Sequence, residues 1–260
     1  PQVAEDSFQV THYRYSNVFR DICLQPMASG PTQPAGRQAG IRLQVASTNF
    51  LSLGRLRDNA TGLENDNAAS CNGKKPSPDG FQIMGRAIVI QKQFQELGFH
   101  MVGGQETRCR QQGVSESDEF IVVNSPATAK GQYGCCLWLS KVVPFDLLGK
   151  QCFQKHQVTA LAWQPRYLLS NVTTSCFSID VLVLHAPHSG WGRVHLQEFW
   201  KQLHADLDAR HRPKSLVIMA DANAKLGSMQ SLVVGALDPE EQCLAGSFFH
   251  QFLLEYDCLL

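Results

Sequence analysis

Two polar residues directly after an apolar run are the first candidates for chemistry. Residues 216–220 are apolar and include two β-branched side chains, which predicts a strand buried on both faces. Asp221 and Asn223 follow two residues apart, so their side chains project to the same side at the carboxyl end of the strand. A carboxylate and a carboxamide held there could together orient a water molecule and a phosphoryl oxygen. A turn that closes the strand would account for the same residues without any chemistry.

Three other predicted strands also end in a polar residue: Asn49 after residues 41–46, Glu106 after residues 99–103 and His185 after residues 175–184. Each has an ordinary structural explanation. Asn49 could be a turn former, Glu106 a solvated charge paired with Arg108, and His185 a hydrogen-bonded histidine at the end of a strand. Together they suit phosphodiester hydrolysis. Mg²⁺ takes oxygen ligands from carboxylates, water and substrate phosphate, a carboxylate positions the attacking water, and neutral donors hold the phosphate.

The elements that must position these residues are mostly strands, with helices interspersed. Further strands are expected at residues 120–123, 135–139, 158–163 and 166–169, and helices at residues 81–97, 194–210 and 246–255. This pattern predicts a mixed α/β sandwich. A stretch rich in proline and glycine ends near residue 40. The predicted domain therefore covers residues 41–260 and follows a flexible linker of residues 1–40.

Composition and charge argue against several classes of protein. The 23 Lys and Arg residues balance 23 Asp and Glu, and a net charge of zero argues against nucleic-acid binding by bulk attraction, although a local basic patch is allowed. No apolar run approaches the length of a membrane span, so no membrane partner is expected. The nine cysteines contain no Cys-x-x-Cys pair, which argues against zinc and favours a reducing, intracellular location, with the nucleus as one candidate compartment. No obligate protein partner is indicated.

Five short motifs, in chain order, resemble those of the endonuclease/exonuclease/phosphatase superfamily. They are Thr-Asn-Phe, Gly-Gln-Glu-Thr-Arg, Tyr-Gly-Cys-Cys-Leu-Trp-Leu-Ser, His-Ala-Pro-His-Ser-Gly and Met-Ala-Asp-Ala-Asn-Ala, at residues 48–50, 104–108, 133–140, 185–190 and 219–224. The resemblance covers residues 41–260 and is strongest to apurinic/apyrimidinic-type and non-LTR retrotransposon endonuclease domains. It implies a DNase I-like fold, a four-layer α/β/β/α sandwich with mixed, mostly antiparallel sheets.

Carried over residue by residue, the resemblance implies a metal site and a surface that contacts nucleic acid. Glu106 would be the principal ligand of Mg²⁺, with Mn²⁺ as a substitute, and Asn49 would lie beside the metal. Asp221 would orient or deprotonate the attacking water, and Asn223 would bind the scissile phosphate. The remaining residues would support the phosphate or contact the substrate, namely His185, Tyr133, Arg108, His188 and Lys225.

The chain also departs from the superfamily pattern. Members end with a Ser-Asp-His motif that completes the active site, and no such motif follows Asn223, so the chain is expected to lack the last strands. Asn223 is followed by Ala-Lys-Leu-Gly instead of the aromatic and basic residues typical of inositol phosphatases. A DNA endonuclease of retroelement type is therefore the first interpretation, with DNA favoured over RNA. The alternatives are a phosphomonoesterase of the inositol phosphatase kind and an inactive remnant that acts as a binding module.

Overall fold

The computed structural model describes residues 8–15, 19–26, 41–50, 86–147, 150–152, 156–175, 177–209, 215–227, 231 and 241–258. Of residues 8–15, 19–26, 86, 146–147 and 150–152, only the backbone is described. These residues form two β-sheets and three α-helices, with one short 3₁₀ helix at Ser189–Trp191. Within the described ranges, no helix is long and apolar enough to cross a membrane.

The first sheet contains nine strands in the described part of the chain. They are β1 Phe8–Tyr15, β2 Phe19–Pro26, β3 Ile41–Asn49, β4 Met101–Gln105, β5 Gly113–Glu116, β6 Phe120–Asn124, β7 Cys135–Ser140, β8 Phe145–Leu147 and β9 Lys150–Cys152. Their order is β1-β2-β3-β4-β7-β6-β5, with β8 beside β3 and β9 beside β8. The pair β3–β4 is parallel, and the other pairs are antiparallel. Apolar and polar residues alternate along the first half of β3. One face of the strand therefore turns to the core, where Ile41, Leu43 and Val45 are buried between the sheets.

The second sheet contains four strands in the same part of the chain. They are β10 Gln157–Gln164, β11 Tyr167–Thr173, β12 Ser178–His185 and β13 Leu216–Asp221, in that order. The first three pair antiparallel, whereas β12 and β13 run parallel. Both strands of the parallel pair are apolar runs, as is typical of strands that are covered on both faces.

The helices cover the outer faces of the two sheets. They are α1 Arg86–Glu96, α2 Arg193–Asp208 and α3 Leu244–Glu255. On the first sheet, Phe94 of α1 packs against Phe50 and Trp138. On the second sheet, α2 and α3 pack through aromatic and aliphatic side chains, among them Trp200, Leu203, Phe249 and Phe252. With the aliphatic core between the sheets, these contacts give four layers, and the predicted α/β sandwich with two mixed sheets is confirmed.

Several segments differ from the sequence-based expectation. The prediction of a flexible linker over residues 1–40 is wrong for β1 and β2, which form an antiparallel pair that extends the sheet from β3. Their mixture of polar and apolar residues carries no clear period, so pairing with β3 decides their structure. Residues 27–40 and residues 81–85 of the predicted helix lie outside the described residues. The strands β5, β8 and β9 have three or four residues each, too few for an alternation to stand out.

Candidate active site

Two pairs of parallel strands bring the predicted site residues to the ends of neighbouring strands. In the first sheet Asn49 of β3 lies opposite Gln105 of β4. In the second sheet His185 of β12 lies opposite Asp221 of β13. Strands that run in the same direction end side by side, so each sheet presents a pair of carboxyl ends. Glu106 follows Gln105 directly and therefore belongs to the same group.

The buried side chain of Gln105 joins the two sheets at this edge. Its amide nitrogen donates to the Ser47 hydroxyl at 3.1 Å and, from the first sheet to the second, to the Met219 carbonyl oxygen at 3.0 Å. Gln105 is 1% exposed, so these bonds form away from bulk water. Met219 lies two residues before Asp221. The contact therefore fixes the end of β13 against the ends of β3 and β4.

The carboxylate of Asp221 is oriented by donors from both sheets. The Asn49 amide nitrogen donates to Asp221 Oδ2 at 3.1 Å, although the two residues are 172 positions apart in sequence. The other oxygen, Oδ1, accepts the backbone N–H of Asn223 at 3.3 Å. The Asn223 amide donates in turn to the Ala186 carbonyl oxygen at 2.9 Å. Because a carboxylate has about four acceptor sites, Asp221 can still accept a hydrogen bond from water.

The carboxylate of Glu106 lies between a histidine and an arginine. Its Oε1 is 3.7 Å from Nε2 of His185, and its Oε2 is 3.5 Å from Nη2 of Arg108. The Arg108 side chain is 52% exposed, so solvent screens its attraction to Glu106 and the contact contributes little to stability. Glu106 and Asp221 thus approach the same histidine from different sheets.

The surroundings of His185 favour its neutral form. Burial lowers the pKa of His185, the positive charge of Arg166 acts in the same direction, and the carboxylates of Asp221 and Glu106 oppose the shift without cancelling it. Burial therefore favours a neutral imidazole in the 3.7 Å contact between His185 and Glu106. Nδ1 of His185 is buried without a hydrogen-bond partner among the described residues. A neutral imidazole can donate one hydrogen bond and accept another.

Most of the unusual backbone conformations described in the chain occur at this site. Among the described residues, five non-glycine residues have a positive φ, and four of these have values from 46° to 66° at predicted site positions, namely Glu106, Arg108, Tyr133 and Asn223. Each such residue costs about 1 kcal/mol or more, so neighbouring contacts must hold it. The backbone N–H groups of Thr107 and Arg108 donate to the carbonyl oxygens of Gly134 and Tyr133 at 3.1 and 2.8 Å. These bonds join the turn after β4 to the turn before β7.

Arg166 belongs to the site although its sequence context carries no signal for it. Its guanidinium packs against the faces of Tyr133 and Trp191, with 3.8 and 4.5 Å from Cζ to the two ring centres. Its Nη1 donates to the His185 carbonyl oxygen at 3.2 Å. Burial lowers the pKa of Arg166, and nearby Tyr133 and Glu106 oppose that shift. An arginine in the turn between β10 and β11 is ordinary in sequence, whereas Trp191, just after the His-Ala-Pro-His-Ser-Gly motif, is a signal that could have been used.

Two predicted substrate-binding residues, His188 and Lys225, lie on adjoining loops. Nδ1 of His188 accepts the Gly190 N–H at 3.1 Å and caps the 3₁₀ helix. The backbone N–H of Lys225 donates to Cys243 Sγ at 3.3 Å, which joins this loop to the start of α3. The structure thus brings together Asn49, Glu106, Arg108, Tyr133, His185, Asp221 and Asn223, and places His188 and Lys225 beside them.

The donor set at this edge suits a hard cation. Glu106, Asp221 and Asn49 offer carboxylate and amide oxygens, which Mg²⁺ accepts together with water and phosphate oxygens. In the described part of the chain, no three residues of the His, Cys, Asp and Glu types cluster closely enough to hold a metal ion. A Mg²⁺ ion bound here would need water or phosphate oxygens to complete its coordination.

No family model matches the chain, and no curated protein matches it. Among solved structures, the chain is similar to the endonuclease domain of TRAS1, a telomere-specific non-LTR retrotransposon, with a TM-score of 0.43 and 15% sequence identity. The similarity covers 64% of this chain and 64% of that chain. At this level the similarity says nothing about activity.

Proposed function

We propose that the chain is a metal-dependent phosphodiester hydrolase that acts on nucleic acid, as a DNA endonuclease of retroelement type. One observation carries the proposal. Asn49 of the first sheet donates to Asp221 of the second at 3.1 Å, while Glu106 and His185 approach to 3.7 Å beside them. Residues from four of the motifs that resemble the endonuclease/exonuclease/phosphatase superfamily thus meet at one edge. Chance placement of polar strand ends does not predict this meeting.

Asp221 would position the attacking water. Its oxygens are fixed by Asn49 and by the backbone of Asn223, so its remaining acceptor sites have defined directions. A carboxylate oriented in this way can accept a proton from water as the oxygen attacks phosphorus. The half-buried position of Asp221 keeps it in contact with solvent that supplies the water.

Neutral and positive donors would hold the phosphate. Asn223 uses one amide hydrogen for the Ala186 carbonyl oxygen, and its amide carries a second. In its neutral form His185 can donate one hydrogen bond, and Arg108 adds a positive charge 3.5 Å from Glu106. Glu106 and Asn49 would hold Mg²⁺ or Mn²⁺, which neutralises phosphoryl charge when bound.

The nucleic-acid substrate is favoured by the surface beside the carboxylates. Arg108 and Arg166 place positive charge there, and Tyr133 and Trp191 add aromatic rings. Basic and aromatic side chains together are typical of surfaces that bind a polynucleotide. A net charge of zero does not prevent such a local patch. As part of the same proposal, the protein acts inside the cell, in the nucleus.

Nicking of supercoiled plasmid DNA in the presence of Mg²⁺ tests the proposal. The Asp221→Ala variant should lower the nicking rate by about 100-fold or more, because general base catalysis typically contributes that much. Asp118→Ala is the matched control, since Asp118 is an exposed carboxylate in the turn between β5 and β6. EDTA should abolish nicking, and Mn²⁺ should restore it.

Three results would count against the proposal. Equal nicking by the wild type and Asp221→Ala would remove Asp221 from the mechanism. Turnover of inositol phosphates without plasmid nicking would favour the phosphomonoesterase alternative instead. Absence of both activities from a folded chain would favour the binding module.

A further inference from the structure

An exposed tryptophan lies beside the candidate active site on an ordered support. We name the group formed by Trp191, Arg166 and Tyr133 the Trp191 platform. The Arg166 guanidinium contacts the Trp191 and Tyr133 rings, and the two ring centres are 6.5 Å apart. Tyr133 also meets the ring of His185 edge-on, with 5.7 Å between centres. The platform is therefore continuous with the residues proposed to hold the phosphate.

The exposure of Trp191 is not explained by packing. Trp138 and Trp200 are 2% and 4% exposed and fill the cores below the helices, whereas Trp191 is 39% exposed. It ends a three-residue 3₁₀ helix that has no buried residue. A large aromatic ring at such a position leaves more than a third of its surface in water, so burial alone does not account for it.

The Trp191 ring is nevertheless held in place. Arg166 packs against its face, and His195 meets it edge-on with 6.2 Å between ring centres. Nδ1 of His195 also lies 3.1 Å from the Trp191 carbonyl oxygen. An exposed ring that is already ordered loses little conformational entropy when a ligand stacks on it. These are the properties of a binding surface for a flat ligand.

The chemistry around the ring indicates the ligand. A nucleobase presents a flat π-face, and the phosphates that flank it attract the positive charges of Arg166 and Arg108. In a continuous duplex the faces of the bases are covered by their neighbours, so a base must leave the stack before it can reach Trp191.

We propose that Trp191 stacks on an unpaired nucleobase next to the phosphate at the site, so that the preferred substrate is DNA with an unpaired nucleotide. This inference rests on the proposed function, because it places the scissile phosphate at Asp221 and His185. Arg166 acts as the positioning residue, which holds the Trp191 ring against the site. Continuous duplex DNA can contact Arg108 and Arg166, but its stacked bases cannot stack on the Trp191 ring.

Binding without cleavage tests the inference. The probes are a short DNA duplex with a single unpaired 2-aminopurine and the same duplex fully paired, both titrated with the whole chain in EDTA. The dissociation constant for each probe is obtained from fluorescence anisotropy, and stacking is followed by quenching of the 2-aminopurine. The wild type should bind the first probe more tightly and quench it. Trp191→Ala should weaken binding of that probe by roughly tenfold, a typical effect of losing one base–aromatic contact, with little change for the paired duplex.

Two further variants separate stacking from other effects. Trp191→Phe retains a ring and should keep most of the preference for the unpaired probe. Val194→Ala changes an exposed apolar residue three positions away and should bind both probes as the wild type does. Thermal unfolding of each variant confirms that a weaker binder is still folded.

The outcomes also distinguish this inference from the proposed function. Equal affinity of the wild type for the two probes, or an unchanged preference in Trp191→Ala, would overturn the role of Trp191 even if the plasmid is nicked. A preference that depends on Trp191, in a chain that nicks no DNA, would support the binding surface while the hydrolase proposal fails.

Discussion

Replacing Gln105 by methionine would measure what the contact between the two sheets contributes. Gln105→Met keeps an unbranched side chain of similar volume, so it introduces neither a large cavity nor overpacking. It removes the amide that donates to the Ser47 hydroxyl and to the Met219 carbonyl oxygen at 3.1 and 3.0 Å. The change in stability then reports on these two hydrogen bonds.

The free energy of unfolding should fall by about 2 kcal/mol. A hydrogen bond contributes about 0.5–1.5 kcal/mol, and the upper value of about 1.5 kcal/mol applies to the bond to the Met219 carbonyl oxygen, because Met219 is 2% exposed. Ser47 is half-buried, so its hydroxyl can turn to water, and the loss of that bond costs nearer 0.5 kcal/mol, at the low end of the usual range of about 0.5–1.5 kcal/mol. The sum is a sizeable fraction of the typical stability of a domain, about 5–15 kcal/mol.

Urea unfolding followed by far-UV circular dichroism would provide the measurement. Gln157→Met is the matched control, because Gln157 is an exposed residue of β10 and its replacement should change stability by less than about 0.5 kcal/mol. If both variants lost the same free energy, the contact from Gln105 to Met219 would contribute nothing. The same variant should also weaken the coupling between Asn49 and Asp221, measured by a double-mutant cycle, because β13 is no longer tied to β3 and β4.

Two further predictions concern ionisable residues. Lowering the pH below about 6.5 should reduce the free energy of unfolding, because burial lowers the pKa of His156 and of His185 and the unfolded chain then binds more protons. Urea titrations across this pH range should show a smaller loss for His156→Gln, and a loss identical to that of the wild type would contradict the assignment. Arg166→Lys should cost about 1 kcal/mol and increase iodide quenching of Trp191 fluorescence, because an ammonium cannot pack on two rings as a guanidinium does. Arg193→Lys, at an exposed neighbouring arginine, should change neither quantity, and equal effects of the two substitutions would refute a special role for Arg166.

The positions of the strand ends could be predicted from the sequence because they depend on local pattern. The apolar residues of β13 stop at Asp221, and the alternation in β3 stops before Asn49. The contact between these two residues could not be predicted in the same way. It depends on parallel pairing within each sheet and on the packing of one sheet against the other, and neither leaves a local signal. The superfamily resemblance supplied the expectation that the two ends belong to one site.

The prediction of a linker over residues 1–40 failed for a related reason. The residues of β1 and β2 do not alternate clearly, and their strand structure comes from pairing with each other and with β3. An edge strand obtains its hydrogen bonds from a neighbour, so its own sequence need not specify a buried face. Local pattern therefore predicts central strands better than strands at the margin of a sheet.

The net charge of zero shows that a total over the whole chain does not predict the charge of a local binding surface. A sum over the whole chain treats Arg108 and Arg166 like any other arginine. Their effect on a ligand depends on where they lie, since charge interactions at a surface are screened beyond about 8–10 Å. Arg108 lies 3.5 Å from Glu106, and Arg166 packs on Tyr133 and Trp191 beside His185, so both act on the same small surface. A balanced total is therefore compatible with two arginines placed beside the carboxylates of the site, and it is no reason to prefer a small phosphomonoester over a polynucleotide.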